Sequence, residues 1–215
     1  MSDYLDSPDA LATALTVISA LGFVIYLFML DQPASIARTV AKTAAVGALA
    51  GLALHVGSPV LLVLALALSA LGDAFLAHEG DVAFLGGLGS FLAAHIVYAV
   101  LFVSIGPGFA DAPLPGLLAV VLFGAGMGTL MVRKAGPLAL PVAAYVLAIA
   151  VMGLGGVTLG GLVLLGAALF MASDAILGSE KFLMSETSSL RRLTSPAVWV
   201  LYYAGQVLIT LGLLA

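Results

Sequence analysis

Three charged side chains stand where apolar sequence should exclude them. Asp73 lies within Leu71-Gly72-Asp73-Ala74-Phe75-Leu76, Asp174 within Ala172-Ser173-Asp174-Ala175-Ile176-Leu177, and Lys42 just inside another apolar stretch. One lysine cannot neutralise two buried carboxylates. The arrangement therefore leaves one Asp ionised and the other holding its proton, which equips a single pocket with both an acid and a base. The plainer reading is an ion pair that only fixes helix packing. Around these three, His95 and Tyr98 share a helix face by their spacing, as do Tyr202 and Gln206, and Tyr145 lies deep in its stretch. They are candidate positioning or substrate-binding groups.

Other chemistries fit poorly. The chain has no cysteine, which removes thiolate nucleophiles and Cys-ligated metals. His55 and His78 fall at opposite ends of their helices, so His95 cannot complete a three-histidine zinc site with both. There is no Gly-x-Ser-x-Gly elbow. The runs Gly86-Gly87-Leu88-Gly89 and Gly153-Leu154-Gly155-Gly156 lack a P-loop lysine. Neither metal nor cofactor is expected.

The elements that must position these groups follow from composition. Of 215 residues, 63% are hydrophobic and 8% charged, whereas soluble domains carry about 25% charged residues. The chain belongs in a bilayer. Seven Lys and Arg against eleven Asp and Glu give net charge −4, which rules out a basic nucleic-acid surface. Polar and Gly/Pro breaks divide the chain into eight apolar stretches of spanning length, at about 10–30, 36–56, 59–78, 82–105, 113–132, 137–154, 158–179 and 196–215. The expected fold is all-α: a polytopic bundle of eight transmembrane helices, one integral-membrane domain over 1–215. Ser7-Pro8, Ser58-Pro59 and Ser195-Pro196 read as N-caps followed by a first-turn proline. Gly153-Leu154-Gly155-Gly156 reads as a turn, and 180–195 as the one long polar loop. Asp3, Asp6 and Asp9 precede the first stretch, so it reads as a helix and not as a secretory leader.

With eight spans, all seven basic residues fall on one side: Arg38 and Lys42, Arg133 and Lys134, and Lys181, Arg191 and Arg192. That side is the cytoplasm, with both termini facing away from it, in a bacterial inner membrane. Asp73 and Asp174 then lie about five residues from their helices' cytoplasmic ends and Lys42 about one turn in. All three come within roughly 10 Å of that boundary, where they can share one site. The segments Ala67–Glu79 and Ala168–Glu180 agree at six of thirteen positions, Asp73 with Asp174 included. Such a match fits a four-plus-four internal repeat.

The motifs also resemble a known family. Leu71 through Leu76, Phe84 through Phe91, Ala94-His95-Ile96-Val97-Tyr98, Pro141 through Tyr145 with Met152, Gly166 through Ala175, and Tyr202 through Gln206 resemble, in order and spacing, the YhhN family of multi-spanning lysoplasmalogenases. The resemblance covers about residues 40–212. Where family members often carry Lys-Pro, this chain has Lys42-Thr43. The resemblance implies hydrolysis of the vinyl-ether bond of a lysophospholipid, the lysoplasmalogen, to a fatty aldehyde and glycerophospho-ethanolamine or glycerophosphocholine. One of Asp73 and Asp174 would protonate carbon; the other, paired with Lys42, would stabilise the resulting cation and orient water, as paired glycosidase carboxylates do. His95, Tyr98, Tyr145, Tyr202 and Gln206 would position substrate, with Arg133, Arg191 and Arg192 near the phosphate. A proton-coupled carrier or binding protein for a small lipid or amine is the competing reading.

Overall fold

The computed structural model describes residues 9–214. Among them are eight α-helices and no strand: α1 (Ala10–Phe28), α2 (Ile36–His55), α3 (Val60–Leu76), α4 (Asp81–Ile105), α5 (Leu114–Lys134), α6 (Ala139–Leu159), α7 (Gly161–Phe182) and α8 (Arg191–Leu214). A single 3₁₀ turn, Gly136–Leu138, precedes α6. Seven of the helices are long and apolar enough to cross a membrane, and the chain is an integral membrane protein. At 17 residues α3 is shorter, about 26 Å at 1.5 Å per residue against a hydrocarbon core of about 30 Å. The chain gathers into two compact units, one up to Ala94 together with Leu214, the other His95–Leu213.

In the first unit, Asp9 caps α1 by accepting the Leu11 N–H at 2.9 Å, and Ser35 caps α2 by accepting the Arg38 N–H at 3.2 Å. The Leu11 amide, and after it the His55 imidazole at 2.6 Å, hold the Asp9 carboxyl below its ordinary value. Gly22 sets the approach of α1 to α2. A Cβ there would lie 2.8 Å from both the Ala41 carbonyl oxygen and the Ala45 nitrogen, so the two backbones touch. Ser19, one turn earlier, donates to the Ala45 carbonyl at 2.5 Å. One turn later, the same face of α1 brings Tyr26 to α2.

In the second unit, small residues again let helices meet. A Cβ on Gly128 of α5 would lie 2.7 Å from Val146 of α6, and one on Gly166 of α7 2.7 Å from the Gly205 carbonyl oxygen of α8. Here the expected boundaries shift. The stretch placed at 137–154 forms α6 to Leu159, and that placed at 158–179 forms α7 from Gly161 to Phe182. Gly153-Leu154-Gly155-Gly156 is therefore helix, not turn. Gly155 packs against Phe102 and Gly156 against Ala167, and the reversal falls at Gly160 and Gly161, whose φ of 68° and 52° are left-handed.

The last helix, expected at 196–215, begins at Arg191, so Pro196 lies inside it and Ser195 is not its N-cap. The Thr194 and Ser195 hydroxyls donate to the buried Glu180 carboxylate, Ser195 at 3.0 Å, while Arg191 donates to the Glu180 carbonyl at 2.6 Å. This anchorage winds the residues before the proline into helix and shortens the polar loop to 183–190. At α3 the N-cap position belongs to Pro59, with no side-chain cap bond, so Ser58 does not cap. Ser7-Pro8 lies outside the described residues.

Candidate active site

Each unit sets one aspartate, Asp73 buried and Asp174 half-buried, against a partner from the preceding helix. In the first, Lys42 Nζ stands 3.6 Å from Asp73 Oδ1, with side chains 11% and 1% exposed. Tyr26 lies under this cation, its ring centroid 5.3 Å from Lys42 Nζ, and the Arg38 guanidinium stands over the same ring at 5.6 Å. Arg38 also donates to the Tyr26 hydroxyl at 3.4 Å and to the Ala77 carbonyl at the end of α3 at 3.3 Å. The aromatic face and the carboxylate together make a buried ammonium tolerable.

In the second unit the partner is neutral. Tyr145 donates its hydroxyl hydrogen to Asp174 Oδ2 at 2.6 Å, and His95 Nε2 stands 3.5 Å from the same oxygen. The His95 ring is fully buried and fixed edge-on to Tyr145, at 5.0 Å between centroids, and against Phe170 at 4.6 Å. Tyr98, one turn beyond His95, donates to Gln206 Oε1 at 2.6 Å, and the Gln206 Nε2 is buried with no hydrogen-bond partner among the described residues. Tyr202 packs its ring on Phe170 at 5.1 Å. Phe170 touches His95, Tyr98 and Tyr202, and being four residues before Asp174 it shares that residue's face of α7.

All eight residues singled out from the sequence thus have a place. Lys42 meets Asp73; Tyr145 and His95 meet Asp174; Tyr98 meets Gln206; Tyr202 packs on the ring between them. The depth along each helix differs from expectation. Asp73 is three residues before the end of α3, about 4.5 Å, and Asp174 eight before the end of α7, about 12 Å. Sequence reasoning missed Tyr26 and Phe170. The i, i+4 spacing of Phe170 and Asp174 was a signal for the second; nothing local pointed to Tyr26, which is brought to Lys42 by Gly22. Of the remaining histidines, His55 meets Asp9, and His78 lies 3.2 Å from the Thr39 hydroxyl at the turn after α3. No group of three His, Asp or Glu that could hold a metal ion occurs among the described residues.

These features define a polytopic α-helical membrane protein whose apolar helices carry carboxylates set against ionisable or hydrogen-bonding partners, an expensive arrangement that marks functional sites in such proteins. The chain belongs to the YhhN family, whose model matches residues 37–213. It is similar to lysoplasmalogenase TMEM86B of Homo sapiens, 34% identical over 152 residues that make up 70% of this chain and 62% of that protein. The Sus scrofa protein of the same name is 38% identical over 151 residues, 69% of this chain and 61% of the relative. The match therefore spans about three-fifths of the length of these relatives. No solved structure matches.

Proposed function

We propose that the protein is a lysoplasmalogenase that cleaves the vinyl-ether bond of a lysophospholipid, with Asp174 as general acid. The observation that carries this is the Asp174 carboxylate, hydrogen-bonded by the neutral Tyr145, within ion-pair reach of His95, and lining an apolar groove. Family membership and the names of the two relatives support the substrate class.

The chemistry needs few groups. Protonated Asp174 transfers its proton to the outer carbon of the vinyl ether, and the double-bond electrons form the new C–H bond, leaving an oxocarbenium ion. Water adds to the cationic carbon and loses a proton to the Asp174 carboxylate. The resulting hemiacetal breaks its C–O bond to release aldehyde and the glycerol hydroxyl, and Asp174 is again protonated. Tyr145 holds one carboxylate oxygen and so aims the other; His95 orients water or the ether oxygen. Asp73, ion-paired with Lys42 in the first unit, is the other carboxylate on which activity is proposed to depend.

The basic residues suggest orientation. Arg38, Lys42, Arg133, Lys134, Lys181, Arg191 and Arg192 flank the α1–α2, α5–α6 and α7–α8 connections, which we place in the cytoplasm of a bacterial inner membrane. A reporter fused after Ala215 is expected to be active only outside the cytoplasm.

The test is aldehyde release from lysoplasmenylethanolamine by protein purified in detergent. Wild type is expected to release it, and Asp73→Asn and Asp174→Asn to fail while remaining folded. Full activity in either variant removes that residue from the mechanism. Uptake of intact lipid into liposomes driven by a pH gradient, without cleavage, would replace hydrolysis with transport.

A further inference from the structure

Between α5, α6 and α7, within the second unit, a groove of ≈ 40 Å³ is lined by Phe123, Met127, Met131, Ile149 and Met171, with Tyr145 and Asp174 among its walls. Gly124 of α5 also lines it and leaves the wall bare of a side chain there. Phe123 is 41% exposed in the middle of an apolar span, so the groove's rim faces hydrocarbon, whereas Met131 and Met171 are each 6% exposed and form its interior. As it stands, the space holds about one water or a methylene or two. A longer occupant needs the wall to move.

Two of the methionines that form it are already drawn back against neighbouring helices. Met131 rests over Gly178 of α7: a Cβ there would meet its methyl at 2.6 Å and its sulfur at 2.7 Å. Met171 rests over Gly153 of α6, where a Cβ would meet its sulfur at 2.5 Å. Each thioether thus lies in a notch that only glycine leaves open. Unbranched methionine has three rotatable bonds and repacks at little cost.

We propose that this groove is the subsite for the hydrocarbon chain of a single-chain lipid, kept clear because the notches at Gly178 and Gly153 hold the Met131 and Met171 thioethers back, and widened by repacking of these flexible side chains. The inference rests on the proposed reaction at Asp174. It names where the chain lies while its polar junction meets the carboxylate. One narrow groove with a polar group in its wall fits an amphiphile with one chain and excludes the second chain of a diacyl lipid. Gly178 and Met131 become specificity-determining residues although neither touches the reacting bond.

The test uses the full chain in nanodiscs with a single-chain phospholipid analogue carrying a diazirine in its alkyl chain. Photolabel is expected on Met127, Met131, Met171 or Phe123, displaced by unlabelled single-chain lipid and not by diacyl lipid. Gly178→Ala should reduce labelling several-fold, because the new methyl pushes Met131 into the groove. It should not unfold the protein, since alanine favours helix and the crowded atoms are the end of a flexible side chain. Gly178→Ala with Met131→Ala should restore labelling. Label spread evenly over exposed helix faces, or unchanged labelling in Gly178→Ala, would overturn the proposal. The two readings fail separately: groove labelling without aldehyde release removes the reaction and keeps the subsite, while aldehyde release with label elsewhere does the reverse.

Discussion

Asp73 and Asp174 occupy the same register of two helix pairs and are held by different chemistry. Asp73 is the fourteenth residue of α3 and meets Lys42, the seventh of α2. Asp174 is the fourteenth residue of α7 and meets Tyr145, the seventh of α6. In both pairs the preceding helix is seated by glycine contacts, Gly22 on α2 and Gly128 on α6. One backbone plan, of the kind a four-plus-four repeat would leave, has thus been given a full positive charge in one unit and a neutral phenol in the other. An ammonium partner favours the ionised carboxylate; a phenol donates one hydrogen bond and leaves the other oxygen able to carry a proton. The partner, not the carboxylate, is what differs between the two pairs.

This comparison can be broken in graded ways. The largest effect is expected from Tyr145→Lys, which gives the second unit the first unit's partner. Fixed ionisation of Asp174 should abolish aldehyde release, and retained turnover would show that Asp174 does not deliver the proton. Next comes Lys42→Met. It leaves Asp73 buried opposite a thioether, which costs about 3–5 kcal/mol of stability, read as a fall in the thermal midpoint. The double change Lys42→Met with Asp73→Leu should recover most of that stability and none of the activity. If it recovers both, the first pair is purely structural. Tyr145→Phe removes one hydrogen bond to a carboxylate, a loss of about 1.5–3 kcal/mol, and should lower kcat more than it raises KM.

Gly22→Ala and Gly178→Ala compare the packing of the two units. The first drives a methyl into backbone and should destabilise by about 1–3 kcal/mol, while the second meets only a flexible thioether and should leave the thermal midpoint close to wild type. The smallest effect concerns Asp9. Its carboxyl is held below the ordinary value, so its contribution is present at neutral pH and is lost as pH falls through that lowered value. Asp9→Ala should therefore lower the thermal midpoint slightly at pH 7 and not at strongly acidic pH.

Much of this was legible in the sequence because a bilayer makes polar residues conspicuous. Asp73, Asp174 and Lys42 stood out against apolar flanks, and i, i+3 or i, i+4 spacing grouped His95 with Tyr98 and Tyr202 with Gln206. Partnerships were less legible, since they depend on how helices rotate against each other. Nothing local says that Lys42 meets Asp73 over Tyr26, or that Asp174 meets Tyr145; the close approach at Gly22 brings Tyr26 to α2, and Gly156 against Ala167 seats α6 on α7. Boundaries failed where glycine carries two meanings. Gly153, Gly155 and Gly156 thin a helix for packing, whereas Gly160 and Gly161 reverse the chain, and composition alone does not distinguish them. Pro196 misled similarly, because the Glu180 contacts that wind the preceding turn come from another helix.

Proton transfer from Asp174 to carbon is read out by hydrolysing the vinyl ether in D₂O with wild type and Asp174→Asn. Wild type is expected to give aldehyde carrying one deuterium on the carbon next to the carbonyl, with a normal solvent isotope effect on kcat, and the variant no turnover. Aldehyde formed by Asp174→Asn at the wild-type rate, with the same isotope effect, would contradict it.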